Sequence, residues 1–323
     1  MMNVGIIGAG HIAEKAAWTL SQMNDMQCLA VGSRSLEKAQ AFAAKYGIPR
    51  AYGAYSELLE DPSVDLVYVA TPHSHHFAVT REAVLKGKAC LVEKAFMANA
   101  REASEILSLS RERGVLVAEA IWTRYLPVQD MAREIIASGL IGEPRMYSAT
   151  LSYEISWKER VLKPELCGGA LLDLGVYGLN FVRMFCTSPV VATTSHCTKF
   201  PTGTDAAETI TLEMEDGSLA CIQTSALCQG ENKGVIAGTT GCLEFDDVNS
   251  PGRLTVYRKG HVPDGEFTAP AQITGFEYQF RACRDAMAAG LTETPQMPHS
   301  EILYIMRQMD SLRANWGVRF PMD

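Results

Sequence analysis

The first thirteen residues constrain the fold more than any other stretch of the chain. A short apolar run, Val4 to Ile7, predicts a buried strand. It stops at a glycine turn and restarts at once as a helical pattern of apolar residues. The spacing Gly8-x-Gly10-x-x-Ala13 at this junction is the dinucleotide-binding fingerprint, with alanine in the last position. It predicts that a nucleotide pyrophosphate binds here; an ordinary glycine-rich turn is the alternative.

Each residue of the fingerprint has a physical task. Gly8 permits the tight turn, and Gly10 lets the backbone approach a pyrophosphate. The helix that follows begins near His11 and Ile12, where unpaired N–H groups and the positive end of the helix dipole attract phosphate. We therefore expect Gly8, Gly10, His11 and Ile12 to bind a cofactor.

Composition narrows the class of protein and its partners. With 323 residues, 47% of them hydrophobic, the chain is long enough for two domains. A net charge of −8 disfavours nucleic acid and anionic membranes as partners. We expect no signal peptide, and we find no apolar stretch of membrane-spanning length. The nine cysteines are scattered without a CxxC pair, which favours free thiols in a cytoplasmic protein over disulfides or a metal site.

Strands and helices alternate through the first third of the chain. Repeated βα units predict an α/β domain with a doubly wound parallel Rossmann sheet over residues 1–121. The strands expected after the first are Cys28–Val31, Val64–Ala70, Ala89–Val92 and Val115–Ala118, and the helices between them are Leu36–Tyr46, Phe77–Lys86 and Ala100–Arg113.

The pattern changes at residue 122. Residues 122–323 are expected to form an α+β domain with an open, mainly antiparallel sheet, and the last helix is free to pack back on the first domain. Asp216-Gly217 is a hairpin signal between two of its strands. The expected strands are Arg145–Tyr153, Val190–Thr198, Thr209–Glu215, Leu219–Leu227 and others near Val235, Leu243 and Leu254–Tyr257, and the expected helices are Val128–Ser138, Phe276–Ala289 and Glu301–Ala314.

The end of the second strand indicates which dinucleotide binds. A Rossmann domain usually places Asp or Glu there for the ribose hydroxyls, but this strand is followed by Ser33-Arg34-Ser35. Arg34 can neutralise a 2′-phosphate, and Ser33 and Ser35 can hydrogen-bond to it. The sequence predicts NADP(H) in preference to NAD(H). Alternatively, Ser35 caps the next helix and Arg34 is solvated.

Two polar groups follow strands whose carboxyl ends face the ligand in doubly wound sheets. Glu93-Lys94 follows one strand, where a lysine ammonium can lower the pKa of a hydroxyl or carry a proton; a surface ion pair is the alternative. Thr71-Pro72-His73-Ser74-His75-His76 follows another. We expect cofactor or substrate contacts through Thr71, Pro72 and either His73 or His76, and loop histidines are the alternative. No metal is expected.

A glycine pair, Gly168-Gly169, opens a very apolar helix. Its polar residues Asp173, Tyr177 and Asn180 are spaced i, i+4 and i+7 and form one stripe, which faces either water or a site. The pKa of a phenol is ordinarily about 10, so Tyr177 alone is a poor base at neutral pH. A nearby lysine and an aspartate that orients it would make proton transfer practicable.

A last group combines aromatic and basic side chains, which suit a flat or sugar-like ligand. Packing between domains is the alternative for those nearest residue 122. The candidate substrate residues are Trp122, Arg124, Tyr153, Trp157 and Arg160.

Together these motifs resemble the Gfo/Idh/MocA family of NAD(P)-dependent oxidoreductases over essentially the whole chain. The stretches Glu119–Pro127 and Gly168–Tyr177 look most like those of the dimeric dihydrodiol dehydrogenases and the NADP-dependent D-xylose dehydrogenases. The resemblance implies that Lys94 and Tyr177 handle the proton with Asp173 beside them, and that the second-domain sheet forms a homodimer. The family usually has E-K-P where this chain has Glu93-Lys94-Ala95, so the peptide bond before Ala95 is either trans or a retained cis bond.

The expected function is therefore an NADP(H)-dependent oxidoreductase that acts on a hydroxyl or carbonyl carbon of a sugar, a polyol or a cyclic trans-dihydrodiol. Two alternatives stay open. One is a non-catalytic NADP-binding regulator, and the other is a glycoside-cleaving enzyme that recycles its dinucleotide.

Overall fold

The computed structural model describes all 323 residues, and the chain forms two compact units. The first unit contains Met1–Tyr125, Gln272–Arg307 and Met322, and the second contains Leu126–Ala271, Gln308–Pro321 and Asp323. None of the helices combines the length and the apolar character that crossing a bilayer requires.

The first unit is built on a six-stranded parallel sheet. Its strand order is β3-β2-β1-β4-β5-β6, which is the doubly wound order expected from the alternating pattern. Three of the strands, β4 to β6, are buried throughout, because helices cover both faces of such a sheet. The strands are β1 (Met2–Ile7), β2 (Met26–Gly32), β3 (Arg50–Tyr52), β4 (Leu66–Val69), β5 (Ala89–Glu93) and β6 (Val117–Ala120).

The helices of this unit largely follow the predicted pattern. Helices α2 and α5 have the predicted bounds, but α4 begins at His73 instead of Phe77. Pro72 precedes its first residue, so the histidine cluster forms the first turn of a helix and not a free loop. The helices are α1 (His11–Ser21), α2 (Leu36–Tyr46), α3 (Tyr55–Glu60), α4 (His73–Leu85), α5 (Ala100–Arg113) and α9 (Phe276–Ala288), while α10 (His299–Trp316) contributes residues to both units.

Strand β3 and helix α3 are absent from the prediction because they are too short to show periodicity. A polar cluster at the end of α3 holds them together. The Arg50 guanidinium donates to both Asp61 carboxylate oxygens at 2.7 and 2.6 Å. The Tyr52 hydroxyl and the Ser63 N–H donate to the same carboxylate at 2.9 Å each. Side-chain chemistry, not apolar pattern, therefore fixes this edge of the sheet.

The second unit is built on an eight-stranded mixed sheet with the order β14-β13-β12-β11-β7-β10-β9-β8. Only the β7–β10 pair is parallel, so the expectation of a mainly antiparallel sheet is confirmed. The predicted hairpin at Asp216-Gly217 joins β9 to β10. The strands are β7 (Pro144–Ser152), β8 (Val190–Lys199), β9 (Asp205–Met214), β10 (Leu219–Ser225), β11 (Gly234–Gly238), β12 (Gly241–Phe245), β13 (Arg253–Arg258) and β14 (Val262–Thr268).

The helices of the second unit are α6 (Pro127–Ala137), α7 (Glu159–Leu162) and α8 (Val176–Phe185). The helix predicted after Gly168-Gly169 is present, but its first turn, Leu171–Gly175, is a π-helix. Such wide turns are rare and are frequently found at functional sites. The polar stripe therefore does not follow one regular α-helical face.

Asp61 offers a test of how the edge of the first sheet is held. Although burial opposes its ionisation, the Arg50 guanidinium, the Ser63 N–H and the Tyr52 hydroxyl lower the pKa of Asp61 to about 2. Its contribution to stability is present above its ordinary pKa and is lost as pH falls toward 2. Asp61→Asn should lower the free energy of unfolding at pH 7 by about 1–2 kcal/mol. The difference should shrink below pH 4.

Urea denaturation of wild type and variant at several pH values measures this effect. Glu105→Gln is the control, because Glu105 forms only an exposed ion pair with Arg81 at 3.4 Å. Equal losses in the two variants, or a loss at Asp61 that does not change with pH, would contradict the assignment.

Candidate active site

The turn between β1 and α1 has the geometry that its glycines predict. Gly8 has a φ of +108°, and a β-carbon there would lie 2.6 Å from the Ala70 carbonyl oxygen. The Gly8 N–H donates to the Gly32 carbonyl oxygen at 2.9 Å, so the ends of β2 and β4 enclose the turn. Gly10 differs from Gly8, because nothing lies within 4 Å of where its β-carbon would be. The open space is where the fingerprint places a pyrophosphate.

Helix α1 begins directly beyond this space. Its N-cap is Gly10, which has no side chain to satisfy the first N–H groups of the helix. The His11 side chain is exposed, Ile12 is half-buried, and Ala13 is buried against the strand. The buried Thr71 hydroxyl oxygen beside the turn has no hydrogen-bond partner within the protein. An uncapped helix, open space and an unpaired hydroxyl all fit a bound dinucleotide.

The segment after β2 carries the residues expected to choose the dinucleotide. The Ser35 hydroxyl caps α2 by accepting from the Lys38 N–H at 3.3 Å, and the Ser33 hydroxyl accepts from the Ser35 N–H at 3.4 Å. The Arg34 side chain is exposed. Burial lowers the pKa of His75, and the positive charge of Arg34 lowers it further. Both readings of Ser35 are therefore compatible, since a hydroxyl that caps a helix retains a further lone pair.

The end of β5 places a buried acid beside Lys94. Burial raises the pKa of Glu93, against the opposing effects of the Tyr68 hydroxyl and Lys94. The Tyr68 hydroxyl donates to Glu93 Oε1, and the Lys94 N–H lies 3.3 Å from Glu93 Oε2. The Lys94–Ala95 peptide bond is cis. Glu93 is thus not a surface ion pair, and its carboxylate contacts the backbone of the residue that follows it.

The two candidate histidines bind the backbone around this peptide. His73 Nε2 lies 3.1 Å from the Lys94 carbonyl oxygen. The wholly buried His76 ring has Nδ1 at 3.1 Å from the Ala95 carbonyl oxygen and Nε2 at 2.9 Å from that of Thr71. The His76 side chain therefore joins the segments after β4 and β5 and is not presented to a ligand. His76 therefore bonds to the protein's own backbone, which is the alternative to a ligand contact that the sequence left open.

A second buried acid, Glu119, lies on the neighbouring strand β6. It is 1% exposed, and burial raises its pKa to about 8, which the Arg124 guanidinium and the Phe96 N–H oppose. Arg124 is itself buried and donates to Glu301 at 3.0 Å. Glu119 was not among the predicted site residues. An acid inside the apolar run of β6 was the signal that could have identified it.

Lys15 is another residue that the sequence did not single out. Its ammonium lies 4.2 Å from the centroid of the Trp122 ring and 4.1 Å from that of Phe276. Burial lowers its pKa, against the effects of Glu93 and Glu277. Trp122 and Arg124 therefore contact other residues of the first unit, whereas the alternative to a substrate contact was packing between domains.

In the second unit, the polar stripe of α8 and its preceding turn is buried and not solvated. Asp173 and Tyr177 are 5% and 7% exposed, and Asn180 is fully buried. The Arg160 guanidinium forms an ion pair with the Asp173 carboxylate. The structure therefore unites Arg160 with Asp173, and it removes the interpretation of the stripe as a solvent face.

The remaining substrate candidates lie on the segment that leads to α7. Tyr153 is half-buried, and its N–H donates to the Ser225 carbonyl oxygen at 3.0 Å. Trp157 is 71% exposed, and the Lys158 ammonium lies 5.3 Å from its ring centroid. No group of three or more His, Cys, Asp or Glu side chains is arranged to hold a metal ion.

Comparisons with known families agree with this organisation. Residues 2–121 match the oxidoreductase family with an NAD-binding Rossmann fold, and residues 130–244 match the GFO/IDH/MocA C-terminal domain. The chain is 32% identical to trans-1,2-dihydrobenzene-1,2-diol dehydrogenase of Mus musculus, over 99% of this chain and 98% of that protein. The Bos taurus enzyme of the same name is also 32% identical, with the same coverage.

Solved structures resemble the chain over nearly its whole length. A 3-ketoreductase from Actinomadura kijaniata, in complex with NADP and TDP-benzene, is 25% identical, with a TM-score of 0.87 and coverage of 97% of both chains. An aldose–aldose oxidoreductase from Caulobacter crescentus shares the fold, with a TM-score of 0.88 at 22% identity over 98% of this chain and 97% of that one. The chain belongs to the Gfo/Idh/MocA family and is an NAD(P)-dependent oxidoreductase.

Proposed function

We propose that this protein is an NADP(H)-dependent dehydrogenase or reductase that acts on a CH–OH group of a sugar, a polyol or a cyclic trans-dihydrodiol. The observation that carries the proposal is the uncapped N-terminus of α1, with open space at Gly10. It offers a pyrophosphate unpaired N–H groups and a positive dipole end. The cofactor bound there supplies or accepts the hydride.

The substrate class rests on the names of related proteins. Two relatives that are each 32% identical to the chain are dehydrogenases of trans-1,2-dihydrobenzene-1,2-diol, a cyclic diol. A structurally similar protein is a ketoreductase for a 3-keto group. In each case a secondary alcohol and a ketone are interconverted, so the protein must move one proton to or from an oxygen atom.

We assign that proton to Tyr177. Its phenol is largely withdrawn from water, so its proton is transferred to the substrate oxygen and not exchanged freely with solvent. We also assign Lys94 to this proton transfer, because an ammonium group can favour the ionised form of a hydroxyl. Arg160 fixes the Asp173 carboxylate one helical turn before Tyr177, which orders the polar side of this segment.

Tyr177→Phe tests this role. The variant should lose at least about 100-fold in kcat, because general acid–base catalysis contributes about 10²–10⁴-fold. NADPH affinity, measured by fluorescence titration, should stay unchanged. Activity is followed at the nicotinamide absorbance with aldoses, inositols and cyclic diols.

Tyr147→Phe is the matched control. It removes a hydroxyl from a buried tyrosine on β7, where that hydroxyl contacts the Phe185 carbonyl oxygen at 3.5 Å and the Cys186 thiol. Undiminished turnover in Tyr177→Phe would refute the assignment, as would an equal loss in the two variants.

We further propose that Arg34 selects NADP(H) over NAD(H). Its guanidinium is exposed after a strand that ends without a carboxylate, which suits a 2′-phosphate. Arg34→Ala should weaken NADPH binding about tenfold or more, since charged hydrogen bonds contribute about 1.5–3 kcal/mol. NADH binding should not change. Arg81→Ala is the control, because it removes an exposed arginine on α4, and it should alter neither affinity. Equal NADPH affinity in wild type and Arg34→Ala would show that Arg34 does not select NADP(H).

We also propose that the protein is a homodimer formed through the face of the eight-stranded sheet that α8 does not cover. Met146 and Leu219 are 52% and 41% exposed on paired strands at this face. Exposed apolar side chains on a broad sheet are typical of subunit interfaces. Glu213 lies directly opposite Leu219 on β9.

Light scattering of Leu219→Glu tests the proposed dimer. The new charge beside Glu213 should convert a wild-type dimer to monomers, because unpaired like charges at an interface are costly. Lys45→Glu on α2 in the first unit is a surface control that should leave the mass unchanged. A monomeric wild type, or a variant that stays dimeric, would contradict the proposal.

A further inference from the structure

The π-helical turn Leu171–Gly175 leads directly into α8, and the two segments carry Asp173 and Tyr177. A π turn is a marginal conformation that surrounding contacts must maintain. The first N–H groups of such a helical segment also need partners that the segment itself cannot supply. The contacts that hold this turn must therefore come from neighbouring segments.

The beginning of the turn is held by Asp205, the first residue of β9. The Leu171 N–H donates to Asp205 Oδ2 at 2.5 Å, and the Ala170 N–H also hydrogen-bonds to this carboxylate. Asp205 is fully buried, so no water competes for these bonds. A carboxylate at the start of a helical segment is further favoured by the helix dipole.

Gly169 is shaped to admit this carboxylate. Its φ is +126°, and a β-carbon at this position would overlap Asp205 Oδ1. Any other residue would both strain the backbone and displace the acid. The second glycine of the pair is thus explained by the approach of Asp205 to the backbone.

The other end of the turn meets a second acid of the same strand, Glu208. It is 3% exposed, and the Thr224 hydroxyl donates to its Oε1 atom. That atom would lie 2.8 Å from a β-carbon on Gly175, the last residue of the turn. Two acids of β9 therefore flank the turn, one at each end.

Keeping two acids buried so close together is costly. Burial raises the pKa of Asp205 to about 6, which the backbone N–H donors and Arg313 oppose. Burial and the neighbouring Asp205 also raise the pKa of Glu208 well above its ordinary value. Apolar residues would fill the same space at lower cost. An apolar residue in place of Asp205 would lose the hydrogen bonds that its carboxylate accepts from the backbone N–H groups of Leu171 and Ala170.

We propose that Asp205, with Glu208 at the other end of the turn, is a positioning residue for the proton-transfer group. It fixes the turn that carries Asp173 and thereby the start of the helix that carries Tyr177. The expected effect on kcat rests on the proposed function, whereas the role of Asp205 in holding the turn does not. Displacement of a catalytic group by about 1 Å can cost about 100-fold in rate.

The experiment compares Asp205→Ala, Asp205→Asn and the control Asp246→Asn. Asp246 is exposed and likewise accepts two backbone N–H groups, from Gly252 and Arg253 at 2.9 and 3.1 Å, in a loop after β12. Hydrogen–deuterium exchange of the peptide containing residues 169–178 measures the turn without any substrate. Steady-state kinetics and NADPH titration measure kcat, KM and cofactor affinity.

For Asp205→Ala we expect exchange at residues 170 and 171 to rise about tenfold or more, since a buried hydrogen bond is lost. We expect kcat to fall about 30-fold or more, with NADPH affinity within twofold of wild type. Asp205→Asn, which keeps the size and one acceptor oxygen, should show both effects more weakly. Asp246→Asn should show neither.

Unchanged exchange in the turn, or raised exchange with kcat within threefold of wild type, would overturn the proposal. If Asp205→Ala does not fold, Asp205→Asn is judged by the same two criteria. If wild type oxidises and reduces no substrate, the proposed function fails while the exchange measurement still decides whether Asp205 holds the turn.

Discussion

Burial of carboxylates away from water is the constraint on which the candidate site depends. Glu93 and Glu119 end adjacent parallel strands, where an unpaired charge would cost several kcal/mol, on the order of the whole stability margin. The donors that oppose this cost include the N–H groups of Lys94 and Phe96. Because these donors belong to the backbone directly after β5, satisfying the acids also fixes the segment that carries the Lys94 side chain.

In the second unit, buried carboxylates of β9 likewise accept hydrogen bonds, here at the turn Leu171–Gly175 and on β10. Asp205 accepts hydrogen bonds from N–H groups at the start of the turn that bears Asp173, and Glu208 accepts one from the Thr224 hydroxyl. In both units a buried acid takes its hydrogen bonds from the backbone beside a functional side chain. A rigid backbone at such positions is what preorganised proton transfer requires, since little reorganisation then accompanies the reaction.

The sequence predicts those parts of the fold that repeat a pattern. Periodicity located five of the six parallel strands and the bounds of α2 and α5, and the glycine spacing located the turn between β1 and α1. It could not locate β3, which consists of three residues held by the side chain of Asp61, nor the π turn, which depends on β9, more than 30 residues later. It also favoured a ligand contact through His73 or His76 over a bond to the protein, because a ring that bonds backbone carbonyls leaves no pattern in the sequence.

The candidate site residues that are buried suit proton transfer, and those that are exposed suit recognition of the cofactor and the substrate. Tyr177 and Asp173 are buried, whereas Arg34 and Trp157 project from surface segments. Exposed side chains on connecting segments can be replaced with little effect on the core, so recognition of cofactor and substrate can change while the chemistry is preserved. Trp157 and the segment before α7 are therefore where we expect the substrate to be chosen, and the π turn is where we expect changes to abolish turnover regardless of substrate.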